Sequence, residues 1–177
     1  MTIINNWVNH SMGTMGRTNL INTDQFWNDA YKSLISVKDE EYDEFCFTSG
    51  LLYRVHTGGN SEPVFEDYLD YGEEADRVFK REYDFWIKQN DVNAIEWHNH
   101  WVSFTDSVDV INSAYFSGKG LRGFVIVIQP KKAINVYPFK PMGFDEREVV
   151  APMDKNTLIE VLPFVDFIDK YKEKTIQ

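Results

Sequence analysis

The chain has a single cysteine, Cys46, set in the apolar run Phe45-Cys46-Phe47. An intrachain disulfide is therefore excluded, and nothing in the cysteine usage calls for an oxidising compartment. Cys46 suits a small core position better than a nucleophile's role. Long hydrophobic runs are missing too: no stretch approaches the ~20 apolar residues of a membrane span. Residues 1–22 lack the basic start and apolar stretch of a secretory signal, so a cytoplasmic protein is expected. Basic residues are outnumbered, 18 Lys and Arg against 28 Asp and Glu, leaving a formal net charge of -10. Phosphate-backbone recognition needs concentrated cations, so nucleic-acid binding is not expected. Such a surface favours encounter with basic protein partners, or does no more than keep the chain in solution.

What is present describes an ordinary folded domain. At 177 residues, residues 1–177 are read as one domain, with 1–22 an irregular, glycine-punctuated start. Aromatic residues make up 15% and promise a well-filled core. Thr23 can cap a helix over 24–37, where Phe26, Trp27, Ala30, Tyr31, Leu34 and Val37 recur at helical spacing. Phe45–Phe47 and Leu51–Thr57 read as extended, the second ending at Gly58-Gly59. A helical region follows Pro63, interrupted at Gly72, and its acidic cluster Glu73-Glu74-Asp76 reads as a solvated face. Strands are expected over Ile95–Phe104, Gly123–Gln129, Ala133–Tyr137, Arg147–Ala151 and Thr157–Leu162, with a short helix over Val108–Phe116. Phe124–Ile128 is apolar throughout, as in a strand buried on both faces. Helices first, then a mostly antiparallel β half, make an α+β arrangement.

Three short segments share an order that none of them would make notable alone. Leu52-Tyr53-Arg54 closes a strand just before Gly-Gly. Ser103-Phe104-Thr105 ends a strand before a short helix. Glu146-Arg147-Glu148 leads into the apolar strand Val149-Val150-Ala151, after a Pro- and Gly-containing loop over 138–144. Taken singly, a strand arginine is usually a surface ion pair, Ser-x-Thr is strand filler, and Glu-x-Glu is a solvated edge.

In this order, over residues 51–151, the segments resemble the Arg-Ser-Glu class of mono-ADP-ribosyltransferases, the group of bacterial exotoxins and small phage enzymes. The resemblance implies the ADP-ribosyltransferase-like fold, two packed sheets behind N-terminal helices, with NAD as substrate. It departs at Val55, where a glycine is common, and at Thr105, where the family usually has serine. It implies that Glu148 is the catalytic carboxylate acting on the ribose 2'-hydroxyl, and that Ser103 orients it. It implies further that Glu146 positions and deprotonates the incoming nucleophile, and that a Glu there accompanies arginine modification.

The chemistry asks for these residue types. Breaking the nicotinamide–ribose bond builds oxocarbenium character, which a carboxylate stabilises more strongly in the transition state than in the ground state. A planar guanidinium such as Arg54 suits the pyrophosphate of NAD. In an extended strand, Glu146 and Glu148 would share one face about 6.6 Å apart, room for a nucleophile beside the first carboxylate. His56 falls on Arg54's face and is placed to contact NAD, with Thr105 beside Ser103. Phe116, with Tyr115, either walls the nicotinamide pocket or packs in the core, and Gly118 and Gly120 form a turn there. Glu96, His98 and His100 alternate like metal ligands, but an unbroken strand would turn them away from Ser103, so no metal is expected. The expected function is transfer of ADP-ribose from NAD to a protein arginine, with NAD hydrolysis as the alternative. A non-catalytic binding module on the same fold is the reading from a different class. With no translocation or receptor-binding domain in view, action in the cell of synthesis or after delivery, as for a phage or bacterial effector, is expected.

Overall fold

The computed structural model describes residues 23–36, 50–56, 61–113, 123–136 and 146–172. The readings at Cys46, Gly58-Gly59, Tyr115-Phe116, Gly118, Gly120 and 138–144 lie outside them. Thr23 starts the first helix, α1 (Asp24–Ser36), its Oγ1 accepting from Phe26 N at 3.1 Å. The apolar stripe Trp27, Ala30 and Leu34 is buried, as its spacing predicts. After Pro63 comes a 3₁₀ segment (Phe65–Glu74), then α2 (Ala75–Asn90). Gly72 kinks the 3₁₀ segment near its end, with φ 58° and ψ -127°, a conformation that residues with a Cβ rarely adopt. Phe79 joins the two segments, its ring 5.4 Å from Phe65 and 5.7 Å from Tyr68.

Six strands follow the predicted order: β1 (Leu52–His56), β2 (Trp101–Thr105), β3 (Phe124–Ile128), β4 (Ile134–Asn135), β5 (Glu148–Pro152) and β6 (Leu158–Pro163). They form one antiparallel sheet in the order β4-β5-β2-β1-β3-β6. The α+β class is as expected, but the described strands make one hydrogen-bonded sheet where two packed sheets were expected. β2 also begins six residues later than the predicted Ile95, because residues 95–100 are irregular and Asn99 takes φ 60°. α3 (Val108–Ile111) follows β2, within the expected Val108–Phe116, whereas α4 (Phe164–Lys172), which closes the described chain, was not expected. α4 was readable, since Phe164, Phe167, Ile168 and Tyr171 repeat at helical spacing.

The sheet has two differently covered faces. On one, α1 packs Trp27, Ala30 and Leu34 against Trp101, Ile134 and Val150. On the same face, α4 packs Phe167 and Tyr171 against Tyr53, Val125 and Val127, with Ile111 of α3 joining them. The other face carries one continuous cluster that crosses from Leu52, Ile126 and Ile128 to Phe104, Val149 and Ala151. Each fully buried side chain of this size contributes about 1.5–3 kcal/mol. Among the described residues, no helix is long and apolar enough to cross a membrane.

Candidate functional site

The sheet has a seam. β1 and β2 are neighbours, but they share only the pair Tyr53 and Thr105. β1 pairs with β3, and β2 with β5, over five positions each. Continued by its own register, the β1–β2 ladder would set Val55 opposite Ser103. Instead the Arg54 side chain crosses the gap, Nη1 donating to the Ser103 carbonyl at 2.6 Å. A cavity of about 240 Å³ opens here, lined by Tyr53, Arg54, Ser103, Thr105, Glu146 and Glu148 among others.

Glu148 is the least accessible acid in this cavity, with 7% of its surface exposed. Burying a carboxylate is costly unless hydrogen-bond donors face it. Ser103 supplies one, its Oγ donating to Glu148 Oε1. The backbone holds both ends of that bond: Ser103 pairs with Val150, and Thr105 with Glu148, across the β2–β5 ladder. The Glu148 carbonyl also accepts from Val136 N at 3.0 Å. Burial pushes the Tyr53 phenol above its ordinary pKa, and the Asp106 carboxylate adds to that, so the hydroxyl stays protonated beside the cavity.

Glu146 lines the same cavity, but not by the extended geometry predicted. β5 begins only at Glu148, and the intervening Arg147 has φ 44°. A left-handed backbone costs a side-chain-bearing residue about 1–2 kcal/mol. Arg147 Nε and Nη2 fork onto the two Asp106 oxygens at 2.6 and 2.8 Å, which offsets that cost. Asp106 was not singled out in the sequence, where an Asp after a strand is too common to mark a partner.

Thr105 lines the cavity beside Ser103 and also holds the backbone that follows β2. Its Oγ1 accepts from Ser107 N at 3.2 Å, and the Ser107 hydroxyl accepts from Val110 N at 3.3 Å, so Thr105 orders the turn into α3. Arg54 and His56 share a face, as predicted, but it is the face of Leu52, opposite to Ser103 and Glu148. There they line a second cavity of about 250 Å³ with Lys88, Glu96 and His98. Arg54 lines both cavities because it sits at the seam. His56 Nε2 donates to the Lys88 carbonyl at 3.2 Å.

Residues 95–100 are irregular, so strand alternation does not govern Glu96, His98 and His100, and the His98 and His100 rings lie 4.6 Å apart. His100 Nδ1 lies 2.5 Å from Asp24 Oδ2, whose Oδ1 accepts from Trp101 N at 3.0 Å. Burial alone would raise the Asp24 pKa, but these hydrogen bonds and the facing histidines outweigh it and hold the carboxyl below its usual value. Among the described residues, no group of three His, Cys, Asp or Glu side chains is arranged to hold a metal ion. A larger cavity, about 560 Å³ and bordered by Tyr31, Lys132 and Asp154, contains none of the motif residues. Phe116 lies outside the described residues. Compared with family models, curated proteins and solved structures, the chain matches none.

Proposed function

We propose that the protein is an ADP-ribosyltransferase that takes ADP-ribose from NAD and attaches it to arginine side chains of a partner protein. The observation that carries this reading is the Ser103–Glu148 hydrogen bond inside the seam cavity, which Glu146 and Arg54 also line. Pockets for whole ligands run to about 300–1,000 Å³, so this cavity suits only the reacting end of NAD, the nicotinamide and its ribose. The pyrophosphate then lies toward Arg54, which lines both cavities.

In this mechanism Glu148 accepts a hydrogen bond from the ribose 2'-hydroxyl and stabilises positive charge as the C1'–nitrogen bond breaks. Nicotinamide leaves with the bonding electron pair. A guanidinium nitrogen forms the new bond to C1', and Glu146 takes the proton that the protonated guanidinium must lose. Ser103 keeps the Glu148 carboxylate aimed, which matters because a misplaced charge stabilises the transition state poorly.

The test is incubation with NAD labelled on its adenylate, together with an arginine-rich acceptor protein. Label should move to arginine in the wild type. Glu148→Gln should lower both transfer and NAD hydrolysis by about 10²–10³-fold or more, since it removes the stabilising charge. Glu146→Gln should stop transfer while measurable hydrolysis continues, because water needs less activation than a guanidinium. Free ADP-ribose alone from the wild type would make the protein a hydrolase. Intact NAD would remove the enzyme reading altogether.

A further inference from the structure

The Glu-x-Glu segment carries a feature that the proposed chemistry does not use. Its middle residue, Arg147, holds a left-handed backbone, and its guanidinium forks onto Asp106 at the end of the Ser-x-Thr strand. Asp106 is nearly covered, with 12% of its side chain exposed, while Arg147 is 44% exposed. The two glutamates depend on this pair unequally. Glu148 belongs to β5, is paired with Thr105 and bonded to Ser103, and has its place without Arg147's side chain. Glu146 lies outside the strand, directly before the left-handed Arg147. Relaxing residue 147 to an extended or right-handed backbone would rotate everything that precedes it, Glu146 first.

Resting on the transferase reading above, we propose that the Asp106–Arg147 pair is a positioning device for Glu146, and that it thereby selects arginine over water as the acceptor. The fork fixes the direction of the Arg147 side chain, and with it the backbone that aims the Glu146 carboxylate into the cavity. A bidentate guanidinium–carboxylate pair is directional as well as attractive, which suits this task better than a single point charge. Thr105 and Ser107 tie the same turn to α3, so Asp106 itself stands on ordered backbone. Asp106 and Arg147 touch neither NAD nor the acceptor in this scheme, and act through Glu146 alone.

The experiment measures transfer to an arginine acceptor and NAD hydrolysis side by side, with KM for NAD and the thermal midpoint, in wild type, Asp106→Asn and Arg147→Gly. Asp106→Asn keeps the shape of the side chain but loses the charge and one of the fork's acceptors. Arg147→Gly deletes the guanidinium at a position where glycine accepts φ 44° without cost, so folding is spared even if the first variant is unstable. Both should lower the transfer-to-hydrolysis ratio at least about tenfold, with KM for NAD kept within about twofold. Arg147→Lys, which keeps the charge but not the fork, should fall in between. A purely stabilising ion pair would lower both activities together and leave their ratio alone. That result, or wild-type ratios in both variants, overturns the positioning role while the transferase reading stands. A wild type that leaves NAD intact overturns the reading of the site, and this role with it.

Discussion

The two halves of the sheet are built alike and joined differently on their two faces. In the β4-β5-β2 half, Trp27 of α1 packs on Trp101 with ring centroids 6.1 Å apart. In the β1-β3-β6 half, Phe167 of α4 packs on Tyr53 at 5.1 Å. Each half thus has its own helix on the same face, and between the two helices that face opens into the seam cavity. Behind it, one hydrophobic cluster spans both halves without a break. The contrast shows how a continuous sheet makes a cleft: the ladder lapses after one residue pair, and the shared cluster on the far face keeps the halves from separating. Backbone groups freed by the lapse become available to side chains, as Ser103's carbonyl is to Arg54.

The largest effects should come from removing either anchor. Phe167→Ala and Trp27→Ala should each destabilise the fold by about 3–5 kcal/mol. Because the rear cluster is shared, unfolding should remain a single transition, and hydrogen exchange in β3 and β5 should accelerate together in both variants. Faster exchange confined to the half that lost its anchor would mean that the halves are separate folding units.

Substitutions at the seam itself should separate binding from turnover. Arg54→Ala should raise KM for NAD about tenfold with a smaller change in kcat, because a phosphate contact is made in ground and transition states alike. Ser103→Ala should do the reverse, lowering kcat by about 10–100-fold through a misaligned Glu148. Equal losses of kcat and kcat/KM in both variants would place Arg54 among the groups that act only in the transition state.

The smallest effect belongs to the joint between α1 and β2. Asp24→Asn should cost at most about 1 kcal/mol at neutral pH, since Asp24 and His100 are both open to solvent screening. The folded carboxyl titrates below its ordinary value, so its contribution is complete above that value and is lost as pH falls through the depressed one. The gap in urea midpoint between wild type and variant should therefore close in acid. A gap that widens as pH falls would mean that the protonated form of Asp24 is the stabilising one.

Much of the molecule was legible from local chemistry. Thr23 and the Trp27, Ala30, Leu34 stripe specify α1, Gly72 breaks the helical region after Pro63, and the unbroken apolar run of β3 announces a strand covered on both faces. Such features depend on a few neighbouring residues, whose periodicity and backbone preferences act wherever the segment ends up. The Arg, Ser-x-Thr and Glu-x-Glu segments were visible for the same reason. The resemblance also set Ser103 against Glu148, but the geometry of the meeting was not legible. That β1 and β2 pair at one position only, that Arg54 stands on the face opposite Ser103 and reaches round the seam, and that Arg147 leaves the extended conformation to grip Asp106 were all decided by tertiary structure. Each depends on groups 40 or more positions apart along the chain, as in the separations of 49 for Arg54 and Ser103 and 41 for Arg147 and Asp106. No local periodicity encodes such a contact. It forms only when the packed helices and the rear cluster fix where the strands lie.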